Sequence, residues 1–380
     1  VRIGSKVDFR KRLGRGPCGH TYAAQLGRHE VAVKVLSRNI ERYPKLVSDV
    51  ADAVRHTRDV LGEGAVRPYG FAVIKDRKSL VFEFFNGVSL ARVLREYGLL
   101  EIDRSLQLML QIVGTLEEAA AAGLVHGDLR PEKVLVSEDG RVKVADFGMA
   151  EATCVAAGYR KLGLRVGHPH YLAPELVDPQ AQPSQKSDLY ALGIMLFELA
   201  AGHRPYQGSD VSVVLQHSTE ELPPLPSDVA GVSGLQELVV RLTAKSAADR
   251  PRDFRACREE IELILAGNSS VGPGFFESQD PNRSLDIFSV SDASWLPEES
   301  ESLTEDSDSD PSHERGLAEE EPGEILSGPG GSRTSAQIVE TWRPAIDRAR
   351  SQLEIQRAIA IAAGLAGAIL VISLIVWLLT

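Results

Sequence analysis

The stretch Leu13-Gly14-Arg15-Gly16-Pro17-Cys18-Gly19-His20-Thr21 carries three glycines at a spacing that lets a backbone approach phosphate oxygens without a Cβ in the way. Alone, that pattern serves either a mononucleotide phosphate loop or a dinucleotide site. A dinucleotide site needs a helix directly after the glycines and an acid about 20 residues on. Here Tyr22 to Val35 reads as two strands around Gly27 instead. Lys34 closes the apolar run Val31-Ala32-Val33, 15 residues after Gly19, which makes it a candidate phosphate ligand rather than only a strand-end charge.

Three further clusters follow in order: His126-Gly127-Asp128-Leu129-Arg130-Pro131-Glu132-Lys133, then Asp146-Phe147-Gly148, then Ala173-Pro174-Glu175. Together with the glycine stretch and Lys34, their order and spacing resemble the signature set of protein kinases. The resemblance covers about residues 9–266. It implies that Gly14, Arg15, Gly16 and Gly19 cover the phosphates of ATP, and that Lys34 holds the α- and β-phosphates. Phe82-Glu83-Phe84-Phe85 resembles the hinge between lobes, with backbone groups of Glu83 and Phe85 binding adenine. Asp128 is implied as the acceptor of the substrate hydroxyl proton, and Asp146 as the Mg²⁺ ligand. Lys133 is counted with the nucleotide-binding residues. Arg130 stands where serine/threonine kinases carry a lysine, and its cation can stabilise the transferring phosphoryl group. That form of the loop favours a Ser or Thr acceptor. Catalysis of this kind is mainly positioning and charge neutralisation, so Lys34, Asp128, Arg130 and Asp146 are sufficient chemistry. Asp188 resembles the helix acid that braces the catalytic loop, and Arg250 the partner of Glu175.

Four positions depart from the pattern. Lys133 replaces the asparagine of the catalytic loop, and an ammonium has no lone pair for a metal. The second Mg²⁺ site is therefore expected to be missing or rebuilt, with the Lys133 charge a partial substitute. Ala53 falls where the family has a glutamate partner for Lys34, leaving Asp49 or Asp52 as shorter substitutes. Gly127 replaces the arginine that receives an activation-segment phosphate. No strong activation by phosphorylation is expected between Met149 and Ala173, where Thr153 is the lone Ser or Thr. His168 replaces a small hydroxyl residue before Pro169, as either a pH-sensitive contact or a packed or solvated ring.

The elements that must position these groups follow the resemblance. Short β-branched runs such as Val31 to Val35 and Leu80 to Phe84 fall in the first 90 residues, and helical patterns such as Ser105 to Ala122 and Ser187 to Ala201 fall later. This order reads as α+β. It suits a two-lobed kinase fold, with a small β-rich lobe at about 9–85 and a larger helical lobe at about 86–266. The 380-residue chain is 43% hydrophobic and 25% charged, with a net charge of −11. Residues 1–266 hold 35 Lys+Arg against 34 Asp+Glu, and residues 267–380 hold 7 against 19. The near-neutral first part argues against a nucleic-acid binder. Three cysteines, Cys18, Cys154 and Cys257, lack zinc spacing and read as free thiols of a reducing compartment.

Residues 267–342 are rich in Ser, Pro, Gly, Asp and Glu, and read as a disordered acidic linker. Ser307 and Ser309 lie in it as candidate autophosphorylation sites. A basic juxtamembrane segment at 343–357 carries Arg343, Arg348, Arg350 and Arg357. Residues 358–380 run 23 positions without a charge, long enough for a transmembrane helix. The arginines place the first part on the cytoplasmic side of the bilayer. This is read as a tail anchor, or as a span that a further domain would follow. The sequence therefore points to a membrane-anchored Ser/Thr kinase using ATP and Mg²⁺, with a protein substrate that can include itself. The alternative is a pseudokinase, a tethered nucleotide- or partner-binding scaffold. Pairing of two chains is compatible with the sequence but not indicated by it.

Overall fold

The computed structural model describes residues 7–267, apart from 179, 228 and 230. The linker, juxtamembrane and transmembrane readings, with Ser307 and Ser309, lie outside these residues. Among the described residues no helix is long and apolar enough to cross a membrane.

The small lobe is an antiparallel five-stranded sheet: β1 (Val7–Gly16), β2 (Gly19–Leu26), β3 (His29–Leu36), β4 (Pro68–Ile74) and β5 (Arg77–Glu83), in the order β1-β2-β3-β5-β4. Two strands do follow the glycines, so the structure has no helix where a dinucleotide fold would need one. β3 alternates its buried residues: Val31, Val33 and Val35 face one core cluster, while Lys34 lies on the other face. Its register pairs Lys34 with Thr21 on β2 and with Leu80 on β5.

Between β3 and β4 run the short α1 (Arg38–Glu41) and the longer α2 (Pro44–Val60). Pro44 suits the first turn of α2, where its missing N–H has no intrahelical role. Leu46, Val47, Val50, Val54 and Thr57 recur at helical spacing and form the buried stripe of α2. That stripe joins a cluster with Leu36, Leu80 and Phe82 from the sheet.

Residues 84–87 link the lobes. The large lobe opens with β6 (Val88–Ser89), α3 (Leu90–Tyr97) and α4 (Ile102–Ala121). Next come β7 (Val134–Val136), β8 (Val142–Val144) and α5 (Ala150–Ala156), then α6 (Gln185–Ala201), α7 (Asp210–Thr219), α8 (Leu235–Leu242) and α9 (Phe254–Gly267). A small β6-β7-β8 sheet lies beside the catalytic residues. α6 is apolar nearly all round, as befits a central helix buried on every side. The capping pair Ser184 and Ser187 starts it, and Gly202 in a left-handed conformation (φ 73°) ends it. α4 packs against both α6 and α9.

Candidate active site

The loop that carries Asp128 is held from below by Asp188 on α6. Its two carboxylate oxygens accept the backbone N–H groups of His126 and Gly127, each at 2.8 Å. Burial raises the Asp188 pKa, opposed by His126 and by these two backbone donors. His126 adds a second brace. Its Nδ1 accepts from the Asp128 backbone N–H at 3.2 Å, which leaves Nε2 to donate to the Ala145 carbonyl at 3.0 Å. Its ring meets Phe147 edge-on at 4.8 Å. The catalytic loop and the Asp146 segment are thus tied through one imidazole.

Gly127 has φ +71°, and a Cβ there would lie 3.2 Å from the Ala150 Cβ and 3.4 Å from the Pro183 Cβ. The arginine usual at this position would meet both left-handed strain and crowding.

Asp128 is 4% exposed. Its Oδ1 faces Arg130 Nε at 3.3 Å, and its Oδ2 lies 3.7 Å from Lys133 Nζ. Among the described residues the buried Oδ2 has no hydrogen-bond partner. That oxygen keeps its capacity to accept a hydrogen bond. Arg130 also reaches Glu132 at 2.9 Å. Burial disfavours its charge, but Asp128 and Glu132 outweigh burial and push its pKa up.

Asp146 sits at φ +68°, a left-handed conformation unusual for a residue with a Cβ, fixed by the turn into Gly148. Lys34 pairs with its Oδ1, and Lys133 Nζ lies 2.5 Å from its Oδ2. Burial alone would neutralise this carboxyl. Lys133 and Lys34 outweigh burial and hold it well below the usual carboxylate range. Lys133 shows the complementary effect: burial opposes its charge, while Asp146 and Asp128 push its pKa up.

Lys34 has its carboxylate partner in Asp146 rather than on α2. Asp49 faces Lys45 at 3.5 Å, and Asp52 pairs with Arg55; both acids are about half exposed. They do not serve Lys34, because they lie on the solvent side of the amphipathic α2. Ala53 instead lies over Gly148.

Gly14 and Gly16 close β1, and a Cβ on either would meet open space. Arg15 between them is exposed. Gly16 pairs with Gly19, so Pro17 and Cys18 form the tight turn of the β1-β2 hairpin. At Gly19 (φ +134°) a Cβ would fall 1.9 Å from the Val35 carbonyl oxygen, so glycine is required there for folding. Glu83 ends β5 with its side chain engaged: Oε1 accepts the Arg67 N–H at 2.8 Å and lies 2.5 Å from Lys143 Nζ. Phe85 lies in the 84–87 linker with Arg141 and Lys143 each 5.9 Å from its ring centre.

His168 is a packed ring. Tyr159 meets it edge-on at 5.4 Å and His170 stacks on it at 5.6 Å. Burial, then Arg130, pull its pKa down to about 4, so it is neutral near pH 7.

Sequence reasoning missed α5. The segment after Gly148 forms this helix and packs Met149 and Ala152 into the small-lobe cluster beside Cys18, Val50 and Val54. The available signal was the alanine-rich Ala150-Glu151-Ala152-Thr153-Cys154-Val155-Ala156, good helix-forming material.

The structure brings Lys34 of β3 and Lys133 onto Asp146, with Asp128 Oδ2 3.7 Å from the Lys133 ammonium. Residues 7–259 match the family model described as the protein kinase domain. This chain belongs to the protein kinase family. It is 32% identical over 286 residues to the serine/threonine-protein kinase PknA of Mycobacterium tuberculosis, covering 72% of this chain and 65% of that protein. It is 32% identical over 275 residues to the probable serine/threonine-protein kinase PknB of Lactococcus lactis, covering 69% of this chain and 42% of that one. The chain thus spans about two fifths to two thirds of the length of these curated relatives. The crystal structure of the M. tuberculosis PknI kinase domain superposes with a TM-score of 0.55 at 21% identity, over 70% of this chain and 97% of that one, a likeness of fold.

The kinase family uses ATP and Mg²⁺, and the residues present fit the two differently. Open space over Gly14 and Gly16, with the Lys34 and Lys133 ammonium groups nearby, suits a polyphosphate. A divalent metal on Asp146 would have to share each oxygen with an ammonium. A dication and a cation about 3 Å apart repel by about 10 kcal/mol at an effective dielectric constant of about 20. This arrangement of Asp146 does not fit a bound Mg²⁺.

Proposed function

We propose that this chain is an ATP-dependent protein kinase acting on Ser or Thr hydroxyls of proteins, itself included. The observation that carries the reading is the buried Oδ2 of Asp128, which is without a hydrogen bond and is set between Arg130 and Lys133. Bound ATP supplies the transferable γ-phosphoryl group. Asp128 orients the acceptor hydroxyl and takes its proton as the new O–P bond forms. The β–γ bridging P–O bond breaks, and its electron pair stays with the departing diphosphate. Lys34 and Lys133 neutralise phosphate charge, and Arg130 faces the transferring group. Backbone groups of Glu83 and Phe85 receive adenine. The 32% identity to serine/threonine kinases supports the acceptor class.

The proposal extends to the membrane. Residues 358–380 anchor the chain as a single span, with the kinase domain on the cytoplasmic side and 267–342 as the acidic stretch between them. Flotation with liposomes is expected for the full chain and lost when it is truncated after residue 357. Flotation of the truncated chain sinks the anchor.

The test of activity is autophosphorylation of wild type against Asp128→Asn, with the sites mapped by mass spectrometry. Wild type is expected to incorporate phosphate at least 100-fold faster. A second reading, a pseudokinase scaffold, is favoured by the engagement of both Asp146 oxygens by ammonium groups. Equal incorporation in the two proteins leaves that reading standing.

A further inference from the structure

We infer that the phosphate site of this chain takes a nucleoside triphosphate free of divalent metal, with the Lys133 ammonium doing the work of the metal. The inference rests on the nucleotide-binding reading above and deepens it. Lys133 lies 2.5 Å from Asp146 Oδ2 and 3.7 Å from Asp128 Oδ2, so one fixed cation joins the two acids of the cleft. A metal between these carboxylates would perform the same bridging. Lys34 holds the other Asp146 oxygen, so each carboxylate oxygen already carries one ammonium.

The Lys133 backbone is pinned on both sides. It ends the short 3-10 turn Pro131–Lys133, its N–H donates to the Arg130 carbonyl at 2.8 Å, and its carbonyl accepts from the Ala145 N–H at 2.7 Å. The last bond ties it to the residue preceding Asp146. Its side chain is 10% exposed, and desolvated ammonium groups are not easily rearranged. Burial does not discharge it, because the two acids outweigh burial and push its pKa up.

The placement of charge agrees. Lys34 and Lys133 present two buried ammonium groups at Asp146 and Asp128, while Arg130 is shared between Asp128 and Glu132. The phosphates of a triphosphate can be neutralised by those ammonium groups directly. A metal–triphosphate complex arrives with its charge already partly neutralised, and must displace ammonium groups from Asp146 to bind there.

The test is calorimetric titration of the full chain in detergent with ATP, once in excess EDTA and once in millimolar Mg²⁺. Wild type is expected to bind with dissociation constants within about threefold of each other. Lys133→Asn is expected to bind at least tenfold more weakly in EDTA than in Mg²⁺, and Lys133→Arg, which keeps the cation, to behave as wild type. Thermal melts of each variant confirm folding. Wild-type binding that is tenfold weaker or worse in EDTA overturns the inference and leaves the nucleotide site standing. Metal-independent binding by Lys133→Asn also overturns it, since Lys133 is then not the cause. Failure to bind in either buffer removes the nucleotide site as well.

Discussion

Ala53 on α2 and Gly148 after Asp146 are in mutual contact so close that a Cβ on Gly148 would lie 2.5 Å from the Ala53 Cβ. Gly148 also has φ +76°. Gly148→Ala therefore combines left-handed strain with overpacking, a loss of about 2–4 kcal/mol. The two causes separate in a cycle. In an Ala53→Gly background the clash is gone and only strain remains, so the same substitution is expected to cost about 1–2 kcal/mol. Urea unfolding of the four proteins measures both. Equal costs in the two backgrounds would show that the contact carries no energy.

Arg250 and Glu175 form a bidentate ion pair in the large lobe. Nη1 and Nη2 donate to the two carboxylate oxygens at 2.8 and 2.7 Å, and the guanidinium also donates to the carbonyls of Ala244, Lys186 and Lys245. It packs over the Tyr190 ring with its Cζ 4.9 Å from the centroid. The Arg250 side chain is fully buried. Arg250→Ala leaves Glu175 and three carbonyls without their donor, and is expected to cost about 3–5 kcal/mol in urea unfolding. Arg250→Lys cannot reproduce the bidentate fork and is expected to lose more than half of that. A loss below 1 kcal/mol for Arg250→Ala would refute this account.

Asp128 and Asp146 were legible through the resemblance to protein kinases, and the glycine stretch and Lys34 because their spacing is set by short strands and tight turns. Those follow from local pattern: alternating Val31, Val33 and Val35 fixes the face of Lys34, and Gly19 fixes the turn. Asp188 under the catalytic loop and Arg250 on Glu175 were legible only through that resemblance, since the partners lie 62 and 75 residues apart in the chain. The partner of Lys34 was not. Asp49 and Asp52 are close along the chain, but only the helical phase of α2 shows that they turn to solvent, and that phase depends on packing. The helix α5 was also hidden, since seven residues are too few for a firm periodic signal. Lys133 was recognised as unable to bind metal; its 2.5 Å approach to Asp146 needed three dimensions.

His168 and His217 make stability fall in mild acid. Burial and then Arg130 take His168 to about 4, and burial and then Lys245 take His217 to about 3. Both folded values lie below the unfolded value of about 6.5. Between these limits the unfolded chain binds more protons, so stability is lost as pH falls below about 6.5, by about 1.4 kcal/mol per pH unit for each histidine. His217→Gln can still meet the Tyr190 hydroxyl that now lies 2.8 Å from Nδ1. It removes one of the two titrations. Urea unfolding at pH 6, 5 and 4.5 is expected to show its slope against pH shallower than wild type by about 1.4 kcal/mol per unit. Parallel slopes would mean that His217 is charged in the folded protein.

Cys18 Sγ lies 3.4 Å from Thr153 Oγ1, and this contact joins the glycine hairpin to α5. The two residues are 5% and 1% exposed. A phosphate on Thr153 would have to be buried, and Gly127 offers no guanidinium to receive it. Thr153→Val keeps the shape and gives up one weak bond. It is expected to cost no more than about 1.5 kcal/mol in stability and to leave autophosphorylation within about threefold of wild type. Intact mass and peptide mapping should find Thr153 unmodified in both folded and active protein. Thr153→Glu puts an unpaired carboxylate in the same place and is expected to unfold the hairpin–helix contact, seen as rapid labelling of Cys18 by a thiol reagent. In wild type that labelling is slow, because burial both shields Cys18 and raises its pKa. Cys257 on α9, pushed up to about 12 chiefly by burial, serves as an internal control that stays protected while Cys18 opens. If Thr153→Glu leaves Cys18 as protected as before, α5 does not hold the hairpin, and access to the phosphate site is set elsewhere.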